Sequence, residues 1–591
     1  MRRAIIAGLF LISGFSGLVY EIVWTRIFGL IFGNTTLAIS TVLAAYMLGL
    51  ALGGLLSGRF ADRLKSPLKC YALLETGIGL SALLIPLLRD PVEQLFIVLY
   101  PLFRELPVYF ILIKFCSAFL LMLPATFLMG GTLPVLSRVF IHQEKSMGTG
   151  IGVLYGINTL GAVLGTFATA FILIRSLGIN GSIGLAALLN LIIAAVAFFL
   201  SARKPTLPKK SIKAESGDGI LSNTNRFLWV MGWSGLAALS YEVLWSRILV
   251  FVLTNSVYAF SIMLTAFLMG IALGSWIGGW LGDRQKNLRF LLGWLEIGLA
   301  FTALITVFFL INLPAWHLKN LNLEPSTSWW YLNGLRFAEA SLVMFLPAIL
   351  MGAMFPVAGR LITGRINQIG SGLGRLYFYN TMGGVAGSFL TGFVLIKYFG
   401  TSPTMAVMVM INLLLGLFLL FSPRLSEKKN VRVGLGILAV FLIILVIAFT
   451  PTSTFTVTYS TTEKNYPLVD FREGIEGTVT VHRSGLPGQS NLRIDVDGLN
   501  VAGTSFMLRT LQTLQGHLPL AVHPSANDIM QIGFGTGQTS YSALLHPVKN
   551  FRLVEISADV LDLSAKYFTD IDASMSITDW AKCRLDFTHS V

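Results

Sequence analysis

Long apolar runs follow one another along most of the chain, from Ile5 to about Thr450, with short polar breaks between them. Each run has about 18 to 25 residues, enough for an α-helix to cross the hydrocarbon core of a bilayer. Strands of a membrane barrel would alternate apolar and polar side chains, and these runs do not. The pattern therefore predicts an α-helical polytopic membrane protein. The first run continues past any signal cleavage site, so it is interpreted as a span.

The first half of this pattern returns in the second half. Residues 20–26 read "YEIVWTR" and residues 241–247 read "YEVLWSR", which is a separation of 221 positions, and Glu75 and Glu296 are also 221 positions apart. Further on, "LYGINTLGAVLGTF" returns as "LYFYNTMGGVAGSF". Two parallel repeats of about six helices each are predicted, because only an even number of spans lets both copies face the same way.

Breaks in the apolar pattern divide the chain into five parts. The repeats cover 1–201 and 227–421, and a basic, proline-bearing linker at 202–226 joins them. Residues 422–450 hold a basic segment and one more apolar run, Val433 to Phe449. From residue 451 to 591 the composition is that of a soluble domain, which we call the tail.

Composition and charge indicate which classes of partner the protein is expected to have. The 591 residues are 54% hydrophobic and only 12% charged, with a net charge of +14. Lys and Arg lie mainly in short loops and not in one patch, so a lipid bilayer is expected as partner and nucleic acid is not. The positive-inside rule puts the N-terminus in the cytoplasm, and thirteen spans from there would leave the tail outside. The three cysteines are widely spaced, and no metal is expected.

Each half carries a matched set of charges within its spans, where a charge costs about 3 kcal/mol and is by default a candidate for function. In one interpretation these groups line a central cavity that binds a charged solute or carries protons. In the other they tie helices together, or lie near the membrane surfaces, as Trp24 and Trp245 beside the arginines indicate. The candidates are Glu21, Arg26, Glu75 and Lys114, and Glu242, Arg247, Glu296 and Arg336.

Repetition favours the structural interpretation, because a substrate site usually breaks the symmetry of a repeat. Glu21 and Arg26 are five residues apart and do not share a helix face well, so their partners are expected on other helices. The carboxylates of Glu75 and Glu296 and the cations of Lys114 and Arg336 are the candidate partners.

The tail contains a strand, a glycine-rich turn, a helix, a second strand and an acidic residue, within Asp528 to Phe568. Such a turn lets the backbone approach a cofactor, and a carboxylate at the end of the second strand holds a nucleoside ribose. Both nicotinamide and S-adenosylmethionine cofactors use this layout. The candidate cofactor-binding residues are Gly533, Gly535, Gly537, Gln538 and Glu555.

Two resemblances follow from these motifs. "GRFADR" at 58–63 and "GGWLGDR" at 278–284 resemble the loop between the second and third helices in each half of a major facilitator transporter. In the tail, "GHLPLAVHPSANDIMQIGFGTGQTS" followed by "HPVKNFRLVEIS" resembles a spermidine synthase, and "GIEGTVTVHR" with "NLRIDVDGLN" resembles the small β domain that precedes that fold. Together they resemble the fused major facilitator and spermidine synthase-like proteins of bacteria, which implies a bacterial inner membrane.

This resemblance implies decarboxylated S-adenosylmethionine or S-adenosylmethionine as cofactor and a polyamine or another small cation as substrate. The chain departs from the family at Thr536, where an acidic residue is usual, and at "TLQT" (510–513), where a His-Glu pair is usual. Only 63 residues follow Asp528, so a partial Rossmann-like, methyltransferase-type sheet with a third strand near the end is expected. The catalytic residues stay unknown, and the chain is either truncated here or binds without catalysing.

Three functions are consistent with these features. The first is a membrane-bound aminopropyltransferase-like protein of polyamine metabolism. The second is a major facilitator transporter whose tail is a vestigial or regulatory nucleoside binder. The third is an S-adenosylmethionine-dependent methyltransferase that acts on a membrane substrate.

Overall fold

The computed structural model describes most of the two membrane repeats and of the tail. The described residues are 2–32, 36–103, 107–202, 219–254, 256–320, 328–421, 455, 467–484, 491–523, 525–568 and 583–586. The extra apolar run at 433–449 and most of the linker lie outside them.

Helices dominate both repeats, as the apolar runs predict. In the first repeat the bounds are α1 Arg2–Phe32, α2 Thr36–Ala61, α3 Pro67–Ala82, α4 Leu84–Phe103, α5 Pro107–Phe140, α6 Met147–Ala168 and α7 Ile174–Ala202. In the second they are α8 Gly219–Leu253, α9 Val257–Arg284, α10 Leu288–Asn320, α11 Trp329–Thr363, α12 Ile369–Leu390, α13 Ile396–Phe399 and α14 Thr401–Leu420. Helix α8 thus begins inside the segment that the sequence assigned to the linker.

The described helices account for six crossings in each repeat. Eleven segments are long and apolar enough to span a membrane, and one of them, Glu144–Ala202, has 59 residues. Within this segment the chain reverses direction at Gly178 (φ 69°, ψ −175°). The chain reverses in the same way at Gly400 (φ 84°, ψ 170°), between α13 and α14. Counting that segment twice gives twelve crossings, which confirms the predicted pair of six-helix repeats.

The outer surface of the bundle is apolar, which is what contact with lipid requires. Large side chains such as Leu87 (71% exposed) and Phe199 (73% exposed) project outward with nothing over them. Exposed apolar area on this scale is not found on soluble monomers. This is a multi-pass membrane protein.

Glycines let helices approach closely where they cross. A Cβ at position 161 of α6 would lie 1.9 Å from the Leu11 carbonyl oxygen of α1. The two repeats meet along α2 against α12 and α6 against α9, where a Cβ at position 374 would lie 2.4 Å from the Gly54 carbonyl oxygen. Small residues at such crossings are the usual means of helix packing in membranes.

The bundle has two distinct faces. On one, Arg2 of α1 lies against the Leu200 carbonyl of α7, and Arg289 at the start of α10 donates to the Leu419 carbonyl at the end of α14. We call this the basic face. The opposite one, where α8 ends and α14 begins, is called the tail face, because the tail lies against it.

The tail consists of two small sheets. The first is antiparallel, with strands β1 Leu468–Glu473, β2 Thr478–Ser484, β3 Asn491–Val496 and β4 Leu499–Gly503 in sequential order. After helix α15 (Phe506–Val522) comes a parallel sheet of β5 Asp528–Ile532, β6 Asn550–Val554 and β7 Cys583–Asp586. Helices α16 (Gln538–Leu544) and α17 (Ala558–Tyr567) connect the parts. The predicted small β domain and the third strand are both confirmed.

We expect Gly161→Ala to destabilise the folded bundle, because the new methyl group must displace the backbone of α1. Overpacking of this kind costs about 1–3 kcal/mol. The matched control is Gly184→Ala on α7, where a Cβ meets no atom within 4 Å. The measurement is the thermal unfolding midpoint in detergent. Equal midpoints for the two variants would contradict the close α1–α6 crossing.

Candidate functional site

Glu75 is fully buried and is held by neutral partners. Its Oε1 accepts a hydrogen bond from the Ser13 hydroxyl at 2.7 Å, and its Oε2 accepts one from the Asn190 amide at 2.6 Å. The Tyr20 hydroxyl donates in turn to the Asn190 side-chain oxygen at 2.8 Å. The network ties α1, α3 and α7 together inside the first repeat.

The same network is repeated in the second half. The Asn412 amide donates to Glu296 Oε2 at 2.7 Å, and the Tyr241 hydroxyl donates to the Asn412 side-chain oxygen at 3.0 Å. Glu296 is fully buried, as Glu75 is. The described contacts of Glu75 and Glu296 are with neutral groups, as the structural interpretation predicts, and an ion pair with a cation stays a prediction.

The tryptophans beside the arginines also differ from expectation. Trp24 and Trp245 are fully buried and stack on Tyr20 and Tyr241, with ring centroids 5.1 and 5.2 Å apart. They pack within the helix cores and do not mark a membrane surface. The sequence gives the aromatic pair but not the direction in which the rings point.

The two cations that were predicted as partners lie on α5 and α11. Lys114 is buried on α5. Arg336 lies on α11, where its charge interacts with that of Glu339. Glu339 is also buried and lies 2.9 Å from His317 Nδ1 of α10, a pair that the sequence analysis missed. The sequence could have revealed this pair, because it breaks the repeat: the equivalent positions in the first repeat are Phe96 and Ser117.

Two aspartates of the repeated loop motif join the halves at the basic face. Asp62, at the end of α2, accepts hydrogen bonds from the backbone N–H groups of Gly370 and Ser371 at the start of α12, at 2.9 and 2.8 Å. Asp283 does the same for Gly148 and Thr149 at the start of α6, at 2.9 and 2.7 Å. Each repeat thus caps a helix of the other, where a carboxylate is favoured by the helix dipole.

An arginine supports each of these caps. Arg360 lies 3.1 Å from Asp283 and also donates to the Gly282 carbonyl. Arg138 lies 3.8 Å from Asp62 and donates to the Ile366 carbonyl at 3.1 Å. The described structure is therefore closed across the two repeats at the basic face. The sequence identified the motif but not the partner helix.

Glu21 lines a cavity in the first repeat. The cavity, of about 140 Å³, is lined by residues of α1, α2, α5 and α6, and by Tyr377 of α12 from the second repeat. Its polar lining comprises Ser13, Glu21, Tyr46, Thr132, Tyr155, Asn158 and Tyr377. In the described part of the chain, no group donates a hydrogen bond to the Glu21 carboxylate, whose charge interacts with that of Glu242. Among the residues that line the cavity there is no Lys or Arg.

The arginines that follow these carboxylates differ between the halves. Arg247 donates to the Gly474 carbonyl in the tail turn between β1 and β2. Burial raises the pKa of Glu476 and of Asp497 in the tail, and the nearby Arg247 guanidinium opposes both shifts. For Arg26, which is half-buried, we find no ion pair within the described ranges. One of the two repeated arginines therefore docks the tail.

A second contact fixes the tail on the same face. Glu473 accepts hydrogen bonds from the Thr401 N–H at 2.8 Å and from the Thr401 hydroxyl at 2.5 Å, so it caps α14. Gly400 has a positive φ, and a Cβ there would lie 2.8 Å from the Glu473 carboxylate. Gly498 lies against Phe251 at the end of α8. All of these contacts join the tail to the second repeat.

The glycine turn of the tail has the conformation that the sequence predicted. Gly533, Gly535 and Gly537 have φ values of 87°, 60° and 85°, a region that favours glycine. A Cβ on Gly533 would meet no atom within 4 Å, so the backbone is open to a ligand there. Gln538 begins α16 and donates to the Thr513 hydroxyl at 3.3 Å.

Glu555 follows β6, as predicted, but its carboxylate is already engaged. Oε1 accepts hydrogen bonds from the Ile556 and Ser557 N–H groups at 2.9 and 3.0 Å. Oε2 accepts one from the Phe534 N–H in the glycine turn at 2.7 Å. A carboxylate has about four acceptor positions, so about one is left, whereas the two hydroxyls of a ribose need two. The residues do not fit a ribose in this arrangement.

Comparisons with known proteins identify a family for the membrane repeats. Residues 5–388 match the Major Facilitator Superfamily. Two solved structures are similar in fold: an E. coli fucose:proton symporter (13% identity, TM-score 0.44) and the human organic anion transporter MFSD10 (14% identity, TM-score 0.43). Each similarity covers 71% of this chain and 99% of the other.

A short segment is similar to an enzyme. Two curated sequences named polyamine aminopropyltransferase, from two designations of Leptospira biflexa serovar Patoc strain Patoc 1, are each 40% identical over 60 residues. That match covers 10% of this chain and 21% of each relative. The chain therefore spans about a fifth of the length of the curated relatives it matches.

We expect Asn190→Ala and Asn412→Ala to destabilise the bundle by similar amounts. Each removes the amide that bridges a tyrosine and a buried glutamate, and an unsatisfied buried partner costs about 1–3 kcal/mol. The exposed Asn320, whose amide donates to the Trp316 carbonyl, gives the control variant Asn320→Ala. Thermal unfolding of the purified proteins measures the effect. Wild-type midpoints for both buried variants would mean that the networks are not ties.

We expect Arg247→Ala combined with Glu473→Ala to release the tail from the bundle. Hydrogen exchange of β1 and of the Thr401 amide should then be about tenfold faster or more, because charged hydrogen bonds contribute about 1.5–3 kcal/mol each. Arg509→Ala, at an exposed position of α15, is the control. Unchanged protection in the double variant would show that other contacts hold the tail.

Proposed function

Because the chain belongs to the Major Facilitator Superfamily, we propose that it is a membrane transporter and that its solute is a small cation. The observation that carries this proposal is the cavity at Glu21, to which the second repeat contributes Tyr377. Glu242 is close enough to Glu21 for a charge on one carboxylate to disfavour a charge on the other. A cationic solute, or a proton that moves with it, would relieve this repulsion.

The orientation that we propose follows from the charges of the two faces. Arg2, Arg138 and Arg289 lie at the basic face, so the positive-inside rule makes that face cytoplasmic, in a bacterial inner membrane. The tail then lies on the outer side. The described helices end on the basic face at Phe421, and β1 of the tail lies on the other face, which supports the thirteen-span expectation.

Release of solute into the cytoplasm requires the capping bonds of Asp62 and Asp283 to break. Together they accept four backbone hydrogen bonds across the repeats. Relative rotation of the two repeats would remove these bonds and open the cavity toward the basic face. Solute binding at Glu21 would favour that rotation only if the solute binds the rotated state more tightly than the closed state.

For the tail we propose a vestigial or regulatory role, and not catalysis. Glu555 is engaged by backbone groups, and the described structure places the tail on the face that we assign to the outside. Aminopropyl transfer is a second candidate, favoured by the 60-residue similarity to polyamine aminopropyltransferases. The same similarity supports a polyamine as the cation that is transported. We derive no reaction step, since the residues do not fit an S-adenosyl compound as they stand.

The test is uptake of labelled putrescine, a diamine, by proteoliposomes that contain the full chain. We expect Glu21→Gln to reduce the initial rate at least tenfold with an unchanged thermal midpoint, because the variant keeps the shape of the cavity and loses its charge. Glu144→Gln, at an exposed position of the basic face, is the control. A chain that ends at Thr450 should retain uptake.

Three results would contradict the proposal. Equal rates for wild type and Glu21→Gln would remove the cavity from the mechanism. A Glu21→Gln variant that fails to fold would make Glu21 a structural tie. Aminopropyl transfer by the full chain in a detergent assay would favour the enzyme interpretation.

A further inference from the structure

A second cavity opens on the basic face, away from Glu21. It has a volume of about 230 Å³ and lies where α1 and α3 begin and α5 and α7 end. Its lining is basic on one side and apolar on the other. The basic and polar residues are Arg2, Arg3, Arg138, His142, Ser66 and Ser201, and Ile6, Leu68 and Val139 form the apolar wall.

The arginine at the back of this cleft is fixed in place. Arg138 donates to the Ile366 carbonyl and lies 3.8 Å from Asp62, and its side chain is 19% exposed. Asp62 uses its carboxylate oxygens on the backbone of α12, so it neutralises Arg138 only in part. Among the residues that line the cleft there is no Asp or Glu.

A histidine also lines the cleft. His142 Nδ1 donates to the Phe140 carbonyl at 3.2 Å, so Nε2 of the neutral ring is an acceptor, and it donates to an anion only when both ring nitrogens carry a hydrogen. At the outer edge, Arg2 reaches the Leu200 carbonyl at 3.5 Å, and Arg3 is exposed. Three guanidinium groups and an imidazole therefore surround one small space.

The basic residues of the cleft differ from those of the second repeat. The positions that correspond to Arg2, Arg3 and His142 are Asn223, Thr224 and Gly364, and Arg138 corresponds to Arg360. The second repeat has another pair of basic side chains nearby, Arg226 and Arg289, whose charges interact. The arrangement of cations around the cleft is therefore not a copy of the arrangement in the other half.

We propose that this cleft binds a phosphate group, and that the group is the headgroup of an anionic phospholipid. Arginine binds phosphate oxygens through paired N–H groups, and basic pockets between spanning helices on the cytoplasmic side hold anionic headgroups. The apolar wall of Ile6, Leu68 and Val139 would lie beside the glycerol and the first carbons of the acyl chains. A soluble phosphate ion shares the polar chemistry but makes no use of this wall.

The experiment measures lipid retention by native mass spectrometry on the full chain, purified from nanodiscs of equal phosphatidylglycerol and phosphatidylcholine. We expect retained phosphatidylglycerol, reduced about tenfold in Arg2→Gln combined with Arg3→Gln, at roughly 1 kcal/mol for each basic residue. The control is Lys145→Gln combined with Lys286→Gln, which removes two exposed charges from the same face.

Because the N-terminal arginines also direct membrane insertion, a second variant keeps every charge. Ser201→Leu fills the cleft from α7 and should abolish retention, while the thermal midpoint stays that of wild type. A parallel arm adds inorganic phosphate and reads the thermal midpoint. Stabilisation by phosphate without phosphatidylglycerol retention would keep the anion site and assign it to a soluble ligand.

Two outcomes would overturn the proposal. One is equal retention of phosphatidylglycerol and phosphatidylcholine by the wild-type protein, together with no effect of phosphate. The other is an equal loss of phosphatidylglycerol in the cleft variants and in the lysine control, which would reduce the effect to the general charge of the face.

Discussion

A polar group inside a hydrocarbon layer has to be bonded to another polar group, and this requirement organises the bundle. Glu75 meets it through Ser13 and Asn190, and one oxygen of Glu296 meets it through Asn412. Asp62 and Asp283 meet it through the exposed N–H groups of a helix in the opposite repeat. Glu21 has no such partner within the described ranges, and it faces a cavity instead. This difference between Glu21 and the bonded carboxylates is the basis of the proposed transport site.

The duplication of the chain shows which groups the architecture requires. The asparagine–glutamate bonds and the aspartate caps are each present in both halves, so a group that departs from its copy is not required by the architecture. The His317–Glu339 pair and the Arg2–Arg3 cluster depart in this way, and so does Arg247, which docks the tail although Arg26 has the same place in the first half. These groups therefore distinguish one repeat from the other.

The sequence predicted the spans, the repeat and the strands of the tail, because each of these is set by local patterns that a few residues reveal. It did not predict what the charges contact. Asp62 and Gly370 are 308 positions apart, and Asn190 lies 115 positions from Glu75, so no local pattern links them. For Glu555 the position was correct, but whether its oxygens are available depends on how closely the glycine turn approaches β6.

The tail has polar contacts with the ends of α8 and α14, both in the second repeat. If the two repeats move against each other, a domain attached to one of them moves with it. Its outermost atoms then travel farther than any atom in the helices, since displacement grows with distance from the pivot. A molecule that binds both the tail and the first-repeat helix ends at the tail face would hold the two repeats in one arrangement.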